Sequence, residues 1–178
     1  MENKDLSTLF KSLDAVLKQT DLSDVTAESA NFSELPDGYY LCEVEKAELK
    51  ESKSSHQPMV AFQFSVVADG VGIDENAGLV EIKKTKGRKI FMYYVLKDEN
   101  AIRRFATDML KFEGEKKGEP LLDKAYFTTS AVLCDALDIL VGMRIYIQSS
   151  TSVNDDNSKS IWKNLISWKR AEALELPV

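Results

Sequence analysis

The stretch YYLCEVEKAELKESKSSHQPMVAFQFSVV (residues 39–67) decides the fold, because apolar residues recur at every second position on both sides of a polar knot. In its second half Val60, Phe62, Phe64 and Val66 line one face, and β-branched and aromatic residues of this kind suit a half-buried pleated strand. The knot itself, ESKSSHQPM (residues 51–59), reads as the turn of a hairpin. It holds His56, the chain's one histidine. A nucleophile and its base need a fixed mutual geometry, usually supplied from separate rigid elements. Ser54, Ser55 and Gln57 beside His56 on a loop tip do not offer that, so His56 reads as a solvated loop residue and no catalytic residue is assigned.

Outward from this hairpin the period-two pattern continues. Residues 88–96 (RKIFMYYVL) predict a third strand, and residues 143–149 (MRIYIQS) and 160–169 (SIWKNLISWK) predict a fourth and a fifth, joined by the polar tip TSVNDDNSK. Between the third and fourth strands helix signals take over. Asp98 is an N-cap for a helix with Ile102, Phe105, Met109 and Leu110 on one face, and the chain breaks at Glu113-Gly114. A second helix, residues 129–141, turns Val132, Leu133, Ala136, Leu137 and Leu140 inward and stops at Gly142. The order strand-strand-strand-helices-strand-strand predicts a mainly β domain with a helical insertion, and its match is the five-stranded oligonucleotide/oligosaccharide-binding (OB) barrel.

Upstream, Leu6, Leu9, Phe10, Leu13, Val16 and Leu17 recur at spacings of three and four, the stripe of an amphipathic N-terminal helix over residues 4–18. A Ser-, Thr-, Asp- and Ala-rich linker without a period ends in the turn Pro36-Asp37-Gly38. The expected organisation is therefore an N-terminal helix and acidic linker (1–37), a barrel domain (38–170) and a short C-terminal tail (171–178).

At 178 residues, 44% apolar and 29% charged, the composition is that of an ordinary globular chain. No run approaches the ~20 apolar residues of a membrane span, and the N-terminus lacks the pattern of a signal peptide, which predicts a cytoplasmic protein without a membrane partner. Cys42 and Cys134 sit in a strand-like and a helix-like run, and both read as reduced, buried thiols rather than metal ligands. Gly70-Val-Gly72 and Gly114-Glu-Lys-Lys-Gly118 lack the continuation of a phosphate-binding loop, and Asp155-Asp156 lacks calcium-loop spacing, so neither cofactor nor metal is expected. The formal charge is -6, but residues 1–38 hold eight acids and three bases. The remaining 21 acids and 20 bases leave the body at -1, and the clustering of those bases is then the informative quantity.

Single-stranded nucleic acid is held by a lane of cations along its phosphates and by aromatic faces under its bases. Both ingredients meet here. The densest basic run, Lys83, Lys84, Lys86, Arg88 and Lys89, leads into the third strand, where Lys89, Phe91, Tyr93 and Val95 share the face opposite Ile90, Met92, Tyr94 and Leu96. On the fourth strand the same alternation turns Met143, Ile145 and Ile147 inward and Arg144 and Tyr146 outward. Lys46, Lys50, Lys53 and His56 line the edge and tip of the first hairpin, with Lys53 the better placed for a phosphate. The candidate binding set is thus Lys46, Lys50, Lys53, Lys84, Lys86, Arg88, Lys89, Phe91, Tyr93, Arg144 and Tyr146. On the fifth strand Trp162, Asn164, Ile166 and Trp168 oppose Lys163, Leu165 and Lys169, and alternation leaves open which face is exposed.

Pro36, Gly38 and Tyr39, then Lys46, Ala47, Lys50, Ser52 and Lys53, then Pro58-Met59, and finally Gly87-Arg88-Lys89-Ile90-Phe91 resemble the opening and third strand of phage-encoded single-stranded-DNA-binding proteins. The likeness returns weakly at residues 140–147. It implies an OB-fold protein that coats single-stranded DNA without strong sequence preference during phage replication or recombination. It further implies a homo-oligomer in the bacterial host cytoplasm, with a phage recombinase, helicase or polymerase as candidate partner. Two features depart from the pattern: the acidic amphipathic N-terminal segment, and a C-terminus, AEALELPV, without a dense acidic tail ending in Phe. The alternative is an OB-like protein-interaction module that binds a replication, recombination or defence protein without touching DNA, which the net negative charge favours.

Overall fold

A computed structural model describes residues 35–177. The amphipathic segment expected over residues 4–18, and most of the linker after it, lie outside the described residues. Among those described the order is β1 (Gly38–Glu51), β2 (Pro58–Val66), β3 (Gly70–Ile73), β4 (Leu79–Ile82), β5 (Lys89–Val95), α1 (Glu99–Met109), a 3-10 turn (Lys124–Phe127), α2 (Ser130–Leu140), β6 (Arg144–Val153), β7 (Lys159–Ile166) and α3 (Trp168–Ala173). The protein is mainly β: the described residues form one seven-stranded antiparallel sheet with three α-helices.

The long first strand is the hub. Its residues Cys42–Glu51 pair with β2, Gly38–Glu43 pair with β6, and Tyr39 pairs with Val71 of β3. From there β2 pairs with β5, β3 with β4, and β6 with β7. Alternation then builds one core: Tyr40, Cys42 and Val44 of β1, Val60, Phe62, Phe64 and Val66 of β2, Ile90 of β5, Ile145 and Ile147 of β6 and Leu165 of β7 are all buried on the face that the helices cover. Phe105 and Met109 of α1 and Leu133, Ala136, Leu137 and Leu140 of α2 close it from above. Burying a large apolar side chain stabilises by about 1.5–3 kcal/mol, so this shared face dominates the fold. Both expected helix starts are present: the Asp98 carboxylate accepts from Ala101 N at 2.8 Å, and the Thr129 hydroxyl accepts from Val132 N at 3.3 Å.

The expected closed five-stranded barrel is corrected: the sheet is open. The third and fifth strands of that scheme, β5 and β7, do not pair. The end of α1 stands between them instead. Tyr94 of β5 donates to Asp108 Oδ2 (3.0 Å), and Lys111 Nζ donates to Asp108 Oδ1 (2.6 Å) and to the Leu165 carbonyl of β7 (2.8 Å). Side chains therefore occupy the place of a closing backbone ladder. Burial and the Asp108 charge both push the Tyr94 hydroxyl pKa upward, so it stays a donor.

Three further expectations are revised. The segment after β2, read as a loop, forms the β3–β4 hairpin, whose Ile73, Leu79 and Val80 are exposed and so give no burial period to detect. Gly70 begins it because a Cβ there would lie 2.2 Å from the buried Tyr40 ring. Residues 171–178, read as a tail, pack back in part, with Ala171 and Leu176 buried against Tyr39, Val71 and Tyr146. Cys134 is exposed, because it lies off the inward face of α2, whereas Cys42 is buried and its thiol is pushed up to about 12 by desolvation. Ile102, read on one face with Phe105 and Met109, stands at its exposed end.

Candidate nucleic-acid interface

The outer face of β1–β2–β5 is a ladder of cross-strand rows, and the register fixes each row. Lys89 lies opposite Ser65, which lies opposite Glu43, which lies opposite Arg144; the next row is Phe91, Gln63 and Lys46, the next Tyr93, Ala61 and Glu48, and the last Val95, Met59 and Lys50. Phe91 is 46% and Tyr93 58% exposed, although both are large aromatics on a central sheet. Two residues along a strand span about 6.6–6.8 Å, so the two rings stand side by side along β5 with small or neutral β2 side chains beside them. The sequence expectation that Ile90 and Met92 point inward and Phe91 and Tyr93 outward matches their burial.

The cations of this face are tied to carboxylates. A bulge between Val44 and Lys46 inserts Glu45 as an extra residue. Its carboxylate reaches across β2, accepting from Lys89 Nζ and from Gln63 Nε2 (2.8 Å). Lys46 pairs with Glu48 at 2.9 Å, and Arg144 Nε with Glu43 at 3.1 Å. The Lys89 hydrogen bond, seconded by Gln63, holds the Glu45 carboxyl below the usual carboxylate range, and the Lys46 hydrogen bond does the same for Glu48. Lys46, Lys50, Lys89 and Arg144 against Glu43, Glu45 and Glu48 leave a surplus of one positive charge. Such exposed pairs are weak, so an incoming phosphate can exchange with a carboxylate.

The basic run ahead of β5 forms a fixed turn. Asp69 accepts from the backbone N–H of Thr85 (2.9 Å) and of Lys86 (3.0 Å), and these bonds, that of Lys86 foremost, hold its carboxyl below the usual range. Thr85 is buried, donating to the Ile82 carbonyl (3.0 Å) and accepting from Gly70 N (2.8 Å). Lys84 (φ 62°) and Gly87 (φ 84°) take the left-handed conformations that the turn requires. Lys83, Lys84 and Lys86 are left exposed. Arg88 behaves differently. By alternation it belongs to the side of Ile90, it is half-buried, and its charge opposes the burial that pushes the Tyr40 hydroxyl up to about 12. It does not share the face of Phe91 and Tyr93.

At the far end of the ladder, Lys53 is exposed on the β1–β2 turn, which His56 N closes on the Ser52 carbonyl (2.9 Å). His56 Nδ1 lies 2.6 Å from Glu51 Oε1, an exposed pair within the turn. Tyr146, assigned to the exposed set, is a correction. It does point away from Ile145 and Ile147, but α3 and the chain after it cover that part of the sheet. Tyr146 is 3% exposed, packs edge-on against Trp168 at 5.8 Å, and donates its hydroxyl to the Pro177 carbonyl. Burial pushes its pKa upward.

The fifth-strand question resolves toward Trp162. Leu165 faces the core, and Trp162, 58% exposed, is an aromatic outside the candidate binding set. Its signal was a tryptophan flanked by serines and lysines in a period-two run. Among the described residues no group of three or more His, Cys, Asp or Glu side chains is placed to hold a metal ion, and no helix is long and apolar enough to cross a membrane.

A model of the family described as "Protein of unknown function (DUF669)" matches residues 18–144, more than two thirds of the chain, and the protein belongs to that family. A search of curated proteins finds no match. The matched segment takes in the whole ladder of β1, β2 and β5 and ends at Arg144, the first residue of β6.

Proposed function

We propose that this member of the DUF669 family binds single-stranded DNA without strong sequence preference, on the outer face of β1, β2 and β5. The observation that carries the reading is the exposed pair Phe91 and Tyr93, set beside a row of cations and beneath a rigid basic turn. Bases stack on the two rings, and Lys46, Lys50, Lys89, Arg144, the turn lysines and Lys53 meet phosphates by exchanging their carboxylate partners and condensed counterions. The mechanism is stoichiometric coating, with no catalytic step. The pairing of β1 with β2 and β6, of β2 with β5 and of β6 with β7 supports an OB-type core opened on one side and elaborated by the β3–β4 hairpin. The resemblance in residues 36–67 and 87–91 supports a place in phage replication or recombination within the bacterial cytoplasm, as a homo-oligomer that works beside a recombinase, helicase or polymerase.

Titration of a labelled oligo-dT strand at two salt concentrations tests this. Affinity falls with salt, with a slope near -3 if about four phosphates are engaged at roughly -0.7 each. Phe91→Ala and Tyr93→Ala each weaken binding about 5- to 150-fold, the loss of about 1–3 kcal/mol of stacking per base. No binding at low salt overturns the reading in favour of a protein-interaction module, which the net charge of -6 and the carboxylates paired across the face favour.

A further inference from the structure

Residues 157–171, NSKSIWKNLISWKRA, hold four bases and no acid. Among the described residues, the cations of the Phe91 ladder are largely paired, whereas Lys159, Lys163, Lys169 and Arg170 make no ion pair. The segment runs along β7, which among the described residues pairs with β6 alone and meets Lys111 at the Leu165 carbonyl of its other edge, and into α3. Trp162 stands on its outer face. Its cross-strand partner is Ser150, its neighbours along the strand are Ser160 and Asn164, and its indole N–H donates to Ser152 Oγ at 2.8 Å. The polar edge of the ring is thus satisfied within the hairpin, small neutral side chains surround it, and 58% of the residue remains in water. Lys169 and Arg170 follow on α3, and Lys159 and Lys163 leave this edge strand by the face opposite Trp162. An aromatic exposed without an apolar neighbour to cover it, on an edge strand that carries cations without carboxylates, has the two properties that a stacked base and its phosphates require.

We infer that Trp162 and the β7 edge form a second contact stretch for single-stranded nucleic acid, a base stacking on the indole while Lys159, Lys163, Lys169 and Arg170 meet phosphates. This rests on the single-strand reading and extends it beyond the β1–β2–β5 face, to a part of the chain outside the family match. A protein partner with an acidic surface would use the cations but would not need the ring to meet a base.

The chain has two tryptophans, so Trp168→Phe leaves Trp162 as the one indole reporter. Tryptophan emission and the anisotropy of a labelled oligo-dT strand are followed in the same titration, with an abasic strand of equal length as control. The expected result is quenching that tracks dT binding and is absent with the abasic strand. In the otherwise intact chain Trp162→Phe removes that component of the quenching, which serves if Trp168→Phe does not fold, since Trp168 packs on Tyr146. Trp162→Ala weakens dT binding about 5-fold or more, and Lys159→Ala with Lys163→Ala reduces the salt slope by about 1.4. Binding of dT by anisotropy without Trp162 quenching, or equal quenching by the abasic strand, overturns this inference and leaves the Phe91–Tyr93 reading standing. No binding of dT by the wild type overturns both.

Discussion

Replacing Glu45 with alanine tests the idea that the ladder carries its own internal anions. Glu45 is the extra residue of the β1 bulge: Val44 pairs with Phe64 and Lys46 with Gln63, so Glu45 has no cross-strand partner and no core contact to lose. Its carboxylate is engaged with Lys89 Nζ and Gln63 Nε2. Glu45→Ala therefore leaves the melting temperature nearly unchanged and frees the ammonium that stands one step before Phe91. One added phosphate contact on a single strand steepens the slope of log K against log salt by about 0.7, so the gain in affinity is about 2.6-fold larger at 50 mM than at 200 mM salt. Because Lys89 holds the Glu45 carboxyl below the usual range, it stays ionised at neutral pH, and the increment is constant from about pH 6 to pH 8. The assay is anisotropy of labelled oligo-dT across that salt range, with Glu75→Ala, an exposed acid of the β3–β4 turn, as the control for net charge. The control shifts affinity without steepening the slope, and Lys89→Ala added to Glu45→Ala abolishes the gain. An unchanged slope, or weaker binding by Glu45→Ala, would refute the assignment of Lys89 to the phosphate lane.

Three further variants probe the same geometry. Asp69→Ala releases the N–H groups of Thr85 and Lys86, so oligo-dT binding weakens even though a negative charge is removed; stronger binding means that the turn needs no fixed shape. The Asp69 carboxyl is depressed in the fold, so its stabilisation is complete above the ordinary Asp value of about 3.9 and is lost as pH falls through the folded value. The melting-temperature gap between wild type and Asp69→Ala accordingly holds at neutral pH and closes below about pH 4. Lys111→Met removes the bonds to Asp108 and to the Leu165 carbonyl and leaves Asp108 with Tyr94 alone, a loss of about 1–3 kcal/mol in urea unfolding. Gly70→Ala places a Cβ 2.2 Å from Tyr40 Cε1, and the forced shift of a fully buried ring costs about 1–3 kcal/mol in the same assay.

Local chemistry made much of the molecule legible. Alternation alone identified five of the seven strands among the described residues, because each of those has one face in the core; β3 and β4 escaped because Ile73, Leu79 and Val80 meet water. The cap Asp98 located the start of α1, and the inward period of residues 132–140 with the stop at Gly142 located α2, whose Thr129 cap the structure adds. The helix α3 was hidden inside a strand pattern: Trp162, Ile166 and Trp168 keep period two, yet Ser167 caps a helix and the chain turns at Trp168.

The sequence by itself determined which side chains leave the core: Phe91, Tyr93, Arg144 and Tyr146 all point outward, because a strand has no freedom to do otherwise once Ile90 and Ile145 point in. It did not determine what lies on top of them. Tyr93 meets solvent while Tyr146 is buried, and the difference is made by a six-residue helix and a carbonyl at Pro177, 31 residues further along the chain. In the same way, a barrel and an open sheet share one alternation pattern. The pairing of β5 with β7 is replaced by the end of α1, through Tyr94 to Asp108 and Lys111 to the Leu165 carbonyl, bonds between groups 14 and 54 residues apart that no local period encodes.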